Sequence, residues 1–114
     1  MAWKGWTTKG IKAKYKNKPV KLANEQFSSK LEYEFYCHLK SLKKFGVVKF
    51  FLTQVPLRLP GGTRYMIDFV VFFDDDTIRF IEIKGMETDS WKIKKREIEA
   101  IYPFEIEVIK RGDF

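Results

Sequence analysis

Two adjacent segments, Tyr65 to Phe73 and Thr77 to Lys84, are rich in β-branched and aromatic residues and are separated only by Asp74-Asp75-Asp76. They read as a β-hairpin closed by a solvated acidic turn. The hairpin is apolar on both faces: Val70, Phe72, Ile78 and Phe80 share one, and Phe69, Val71, Ile81 and Ile83 the other. It must therefore be covered from both sides, and the flanking patterns supply the cover. Leu31, Phe35, Leu39 and Leu42 recur at helical spacing ahead of Gly46, which predicts a helix over 30–45. Thr88 or Asp89 caps a second helix running to about Ile101, with Trp91, Ile98 and Ile101 facing inward; Pro103 ends it. Val47 to Leu59, interrupted by Pro56, reads as a bent or edge strand, Pro60-Gly61-Gly62 as a turn, and Phe104 to Ile109 as a last strand. The order α-β-β-β-α-β describes an α/β or α+β domain with one mixed sheet flanked by helices.

Charge is concentrated at one end. Residues 1 to 24 hold seven lysines (Lys4, Lys9, Lys12, Lys14, Lys16, Lys18, Lys21) and no carboxylate, so the formal charge of +7 belongs to this segment. Residues 1–18 read as a basic arm and 19–114 as one folded domain, opening with a small hairpin around Ala23-Asn24. Such an arm fits a polyanionic partner, most commonly nucleic acid, held through its phosphates; a solvated tail fits the charge equally well. Trp3, Trp6 and Tyr15 lie among the lysines, where they can stack on bases or anchor the arm to its own domain.

Several chemistries lack parts. Cys37 is the only cysteine, which excludes an intramolecular disulfide and a cysteine-based zinc site. His38, the only histidine, lies in mid-helix, so histidine triads and His-metal chemistry are not available. No signal-peptide core opens the sequence, and no apolar run nears the roughly 18 residues of a membrane span. The expectation is a soluble intracellular protein with no membrane partner.

The register of the central hairpin carries the functional reading. A three-residue turn at Asp74 to Asp76 places Asp68 opposite Glu82 and Met66 opposite Lys84, on one face; a two-residue turn would separate them. Two carboxylates side by side on an apolar sheet repel, and desolvation costs several kcal/mol for each unpaired ion. A divalent cation between them compensates, and Lys84 adds a second positive charge. Taken alone, Glu-x-Lys in a strand is more often a surface ion pair. An Asp on one strand and Glu-x-Lys-Gly on its partner, both otherwise hydrophobic, is more specific.

Ile67-Asp68, followed after thirteen residues by Glu82-Ile83-Lys84, resembles the bipartite motif of the PD-(D/E)XK nuclease superfamily, which includes type II restriction enzymes and Holliday junction resolvases. The segments NKPV, SSKLEYEFYCHL, TQVPLRL, YMIDFVVFF and FIEIKGMETDSWKIKKREIEAIYP resemble small phage-borne proteins assigned to it. Ile67 stands where the motif has proline, at a position that shapes the strand and binds no metal. The resemblance implies a restriction-endonuclease-like core and a Mg²⁺ or Mn²⁺ site made by Asp68, Glu82 and the backbone carbonyl of Ile83. It makes Lys84 the residue that orients or deprotonates the attacking water. Glu32 is the candidate fourth member, although Ser29-x-x-Glu32 is equally a capping box. Gln54 resembles a polar first-strand position that touches a metal-bound water; an exposed strand glutamine reads the same way.

The implied function is Mg²⁺-dependent, structure-selective cleavage of DNA, with Holliday junctions or branches as substrate, by a phage-encoded homodimer in the cytoplasm of an infected bacterium. Lys92, Lys94, Lys95 and Arg96 of the second helix, with Lys12, Lys14, Lys16 and Lys18 of the arm, are the candidate DNA-binding residues; on the helix, an ordinary solvated face is the alternative. Two other functions fit the same residues: a catalytically silent nucleic-acid-binding module, and a nicking or repair endonuclease.

Overall fold

The computed structural model describes residues 27–114. The basic arm over 1–18, with Lys12, Lys14, Lys16 and Lys18, and the hairpin expected around Ala23-Asn24 lie outside the described residues. The elements run α1 (Lys30–Lys44), β1 (Val48–Arg58), a 3-10 turn (Pro60–Gly62), β2 (Arg64–Phe73), β3 (Ile78–Ile83), α2 (Asp89–Ile101) and β4 (Ile106–Ile109). This is a mixed α+β fold with two helices and one four-stranded sheet of order β1-β2-β3-β4. The first three strands form an antiparallel meander, and β4 joins β3 in parallel, which the crossover through α2 permits.

Each helix begins at a hydroxyl that satisfies an otherwise orphaned amide. Ser29 Oγ accepts from Glu32 N at 3.0 Å, and Thr88 Oγ1 accepts from Trp91 N at 3.2 Å. Gly46, at φ 85°, ends α1 in the left-handed region that a glycine adopts without a Cβ penalty. At the acidic turn, Phe73 N donates to Thr77 O at 2.8 Å and Asp75 Oδ1 accepts from Thr77 N and Oγ1, which closes a three-residue loop. Asp74 to Asp76 are a turn device, and Asp76 also pairs with Lys49 at 2.8 Å.

The two faces of the hairpin are buried against different helices. Phe69, Val71 and Ile81 pack with Phe35, Leu39 and Leu42 of α1. Val70 packs with Trp91 and Ile98 of α2, and Phe72 and Phe80 lie against that cluster. Further along, residues of the same parity change sides: Phe51 and Phe69 belong with α1, whereas Val55, Leu57 and Ile67 belong with α2. The strand pair rolls over between the rungs Thr53↔Phe69 and Val55↔Ile67, where Gln54 faces Asp68. Gln54 makes the bend, with a backbone φ of 49°.

Three expectations are corrected. Ile101 is 47% exposed, because Tyr102 covers that end of the α2 cluster and donates its hydroxyl to Arg58 O at 2.7 Å. Ile78, at the turn end of β3, is 48% exposed. Phe104 precedes the last strand: its amide bonds to Tyr102 O and its ring stacks on Phe80 at 3.7 Å, so the ladder starts only at Ile106.

The short β4 is also held by a two-pronged ion pair. Arg79 Nε and Nη2 donate to Glu107 Oε1 and Oε2 at 2.8 and 2.6 Å. Both side chains are partly exposed, so Glu107→Gln is expected to lower the unfolding free energy by only about 1 kcal/mol, read as a shift in urea midpoint at constant m-value.

Candidate functional site

The pairing Phe69↔Ile81, continued by one rung, sets Asp68 opposite Glu82. The hydrogen-bonded ladder stops there and a side chain takes over: Ile83 N donates to Asp68 Oδ2 at 2.9 Å. Ile83 thus contributes its amide to the acidic pair. Glu82 is 6% exposed, and its Oε1 has no hydrogen-bond partner among the described residues. Burial first, and the Asp68 charge second, push its carboxyl up to about 7, against the opposing pull of Tyr65 and Lys84. Asp68 is also raised, chiefly by burial and then by Glu32, while the Ile83 amide, Gln54 and Lys84 counteract.

Glu32 is drawn into the same place. Its amide is capped by Ser29, but its carboxylate does not return to the Ser29 amide as a full capping box requires. Oε1 accepts from Ser28 N and Oγ at 3.2 and 2.6 Å, and Oε2 accepts from Gln54 Nε2 at 3.2 Å. The same Gln54 Nε2 donates to Asp68 Oδ1 at 3.1 Å. Glu32, Gln54 and Asp68 therefore form a continuous polar chain from α1 across β1 to β2. The roll of the strand pair makes this possible, because it brings a residue of the α1 side to one on the β2–β3 face.

Lys84 lies beside the acidic pair, with its Nζ 5.0 Å from the Trp91 ring centroid, an attraction between a cation and an aromatic face. Tyr65 stacks on Trp91 at 5.6 Å. Its hydroxyl lies near enough to Glu82 to feel its charge, yet the two do not meet with hydrogen-bond geometry. Burial, and then Glu82, hold the phenol above its ordinary range. Sequence patterning assigns Trp91 to the core and gives Tyr65 no role. Their contacts with Lys84 and Glu82 arise from tertiary register, for which the sequence carries no local signal.

The basic face of α2 is less uniform than its composition suggests. Lys92 and Arg96 are exposed, Lys94 borders the turn at Pro60 and Thr63, and Lys95 pairs with Glu99 at 2.9 Å. The start of the helix meets the site through Trp91, which touches Lys84 and Tyr65. His38 is 6% exposed between the rings of Phe35 and Phe114, and burial pushes the Cys37 thiol up; both are structural.

Residues 12–111 match a family described as protein of unknown function (DUF1064). The chain belongs to the DUF1064 family. The matched span takes in every residue of the site and reaches back through Lys12, Lys14, Lys16 and Lys18 of the arm. No curated protein matches the chain. No helix among the described residues of this DUF1064 chain is long and apolar enough to cross a membrane.

The donor chemistry of the site can be tested against a divalent cation. Among the described residues no three His, Cys, Asp or Glu side chains converge as a ready-made cage. The fit rests on a smaller set: two opposed carboxylates, both raised chiefly by burial, Glu82 also by Asp68 and Asp68 also by Glu32, and a buried Glu82 oxygen without a partner among the described residues. These are hard oxygen donors of the kind Mg²⁺ and Mn²⁺ take, and a small cation that retains water needs only one or two carboxylates from the protein.

Proposed function

We propose that this DUF1064 protein is a Mg²⁺-dependent DNA endonuclease built on a restriction-endonuclease-like core, selective for branched or junction DNA and acting as a homodimer. The observation that carries the reading is the opposition of a half-buried Asp68 to a buried Glu82, whose Oε1 has no partner among the described residues, with Lys84 alongside. A carboxylate pair of this kind destabilises the metal-free fold, and a site that retains it points to a function for the pair. The α-β-β-β-α-β order and the motif resemblance support the same class.

Asp68 and Glu82 would hold the cation; without it, Gln54 links Glu32 to Asp68. The cation would lower the pKa of a water and neutralise charge developing on the phosphate. The remaining work falls to the chain. Trp91 keeps the Lys84 ammonium above its ring, so this cation beside the acidic pair approaches from a fixed direction. From there Lys84, as the ammonium, donates to orient the attacking water and stabilises the negative charge on the phosphate; to take that water's proton it must first give up its own. Glu82, at 6% exposed, is itself shielded from bulk water. The exposed Lys92, in the first turn of α2, and Arg96, midway along it, supply phosphate contacts that position DNA without reading its sequence.

The test is to incubate the protein with four-way junction, flap, single-stranded and linear duplex DNA in Mg²⁺, Mn²⁺ or EDTA, alongside Asp68→Ala. Metal-dependent cutting, strongest on branched DNA and lost in the variant while binding persists, is the expected result. Binding without cleavage of any substrate would leave a nucleic-acid-binding module instead.

A further inference from the structure

Gln54 is the one residue inside a strand of the described chain that combines a left-handed backbone with contacts to two carboxylates. A non-glycine residue at φ 49° in a strand interior is costly, by about 1–3 kcal/mol in general, and it persists only where its surroundings enforce it. The surroundings here are Glu32 Oε2 at 3.2 Å and Asp68 Oδ1 at 3.1 Å, both bonded to the same nitrogen. Carboxylate oxygens only accept, so the group between them must be the amide NH₂; the chemistry fixes the orientation of the side chain. The partial positive charge of that NH₂ stands between two negative groups, one of which belongs to the acidic pair. Gln54 is exposed and lines an open groove of about 520 Å³ between α1 and β1, beside Tyr36 and Phe51, so it has room to swing out.

We infer that Gln54 is a cation surrogate: in the metal-free protein its amide bridges Glu32 and Asp68, and a divalent cation binds by displacing it. This inference rests on the metal-site reading above. It assigns Gln54 a role opposite to that of a ligand. The bridge stabilises the metal-free state and so competes with the metal, because whatever favours one state alone must be given up on passing to the other. Its consequence is a site that keeps its carboxylates together when no metal is present, at the expense of metal affinity.

The inference is tested by Mn²⁺ titration followed by electron paramagnetic resonance, together with thermal unfolding in EDTA and in Mn²⁺, for wild type, Gln54→Ala and Gln54→Gly. Glycine relieves the backbone strain and alanine does not, but both remove the amide. The expected result is that both variants bind Mn²⁺ about five- to tenfold more tightly than wild type. In EDTA, Gln54→Ala has the lower Tm, and in both variants the gain in Tm on adding Mn²⁺ exceeds that of wild type. Equal or weaker Mn²⁺ affinity in both variants would overturn the surrogate role while leaving the metal site standing. Equal losses of Tm with and without metal would reduce Gln54 to a structural residue. Failure of wild type itself to bind Mn²⁺ would remove the metal site and this inference together.

Discussion

Glu82→Gln is expected to make the metal-free protein more stable at pH 8, by about 3 kcal/mol, while abolishing DNA cleavage. The folded-state carboxyl titrates at about 7 against an ordinary 4.5, mainly because it is buried and secondly because Asp68 faces it. The folded chain therefore retains a proton that the unfolded chain releases. The stability due to that proton is fully present below the ordinary value and is lost as pH rises through about 7. Asp68 is raised as well and adds to the same slope. Glutamine keeps the shape and removes the charge, so most of the decline between pH 5 and 8 should disappear from urea unfolding measured in EDTA. In Mg²⁺ the ranking should reverse in part, because only wild type gains from the cation. An unchanged pH slope in Glu82→Gln would show that this carboxylate is solvated and under no electrostatic load.

Lys84→Ala is expected to reduce cleavage by about 10²- to 10⁴-fold, the range for removing a positioned proton-transfer group. Stability should change little, because the ammonium is half-buried over Trp91 and has no carboxylate within ion-pair distance among the described residues. Single-turnover cleavage of whichever DNA wild type cuts fastest, at saturating Mg²⁺, separates this effect from binding. Trp91→Leu should fall between wild type and Lys84→Ala, since it releases the ammonium without removing it. A loss under tenfold in Lys84→Ala would place the lysine outside the chemistry.

Much of the fold could be read from periodicity and caps. Ser29, Thr88 and the Leu31-Phe35-Leu39-Leu42 spacing are local signals, and the helices follow them. The three-aspartate turn set the register, and through it the opposition of Asp68 and Glu82 could be counted from the sequence. What escaped was geometry that only tertiary packing decides. Nothing in a lone glutamine announces a left-handed backbone, and the roll of β1 and β2 at Gln54 turns Val55, Leu57 and Ile67 from the α1 side to the α2 side. Glu32 fitted two readings because a capping box and a site carboxylate share the same spacing. Its bonds to Ser28 and Gln54 separate the two, and only the fold supplies Gln54. Trp91 was legible as core, but its position under Lys84 depends on where α2 enters the sheet.

Lys84 N donates to Ile109 O at 3.1 Å, so the backbone of this site lysine is tied to the parallel strand β4. Hairpins close locally and fast, whereas a parallel strand must first bring distant parts of the chain together through a crossover. The acidic half of the site, on the β2–β3 hairpin, can thus form early in folding, and the basic half is fixed only when the last strand docks. A chain caught between these stages would hold its carboxylates together with Lys84 still loose. Completion of the site would then arrive as the final event of folding, after the rest of the core has formed.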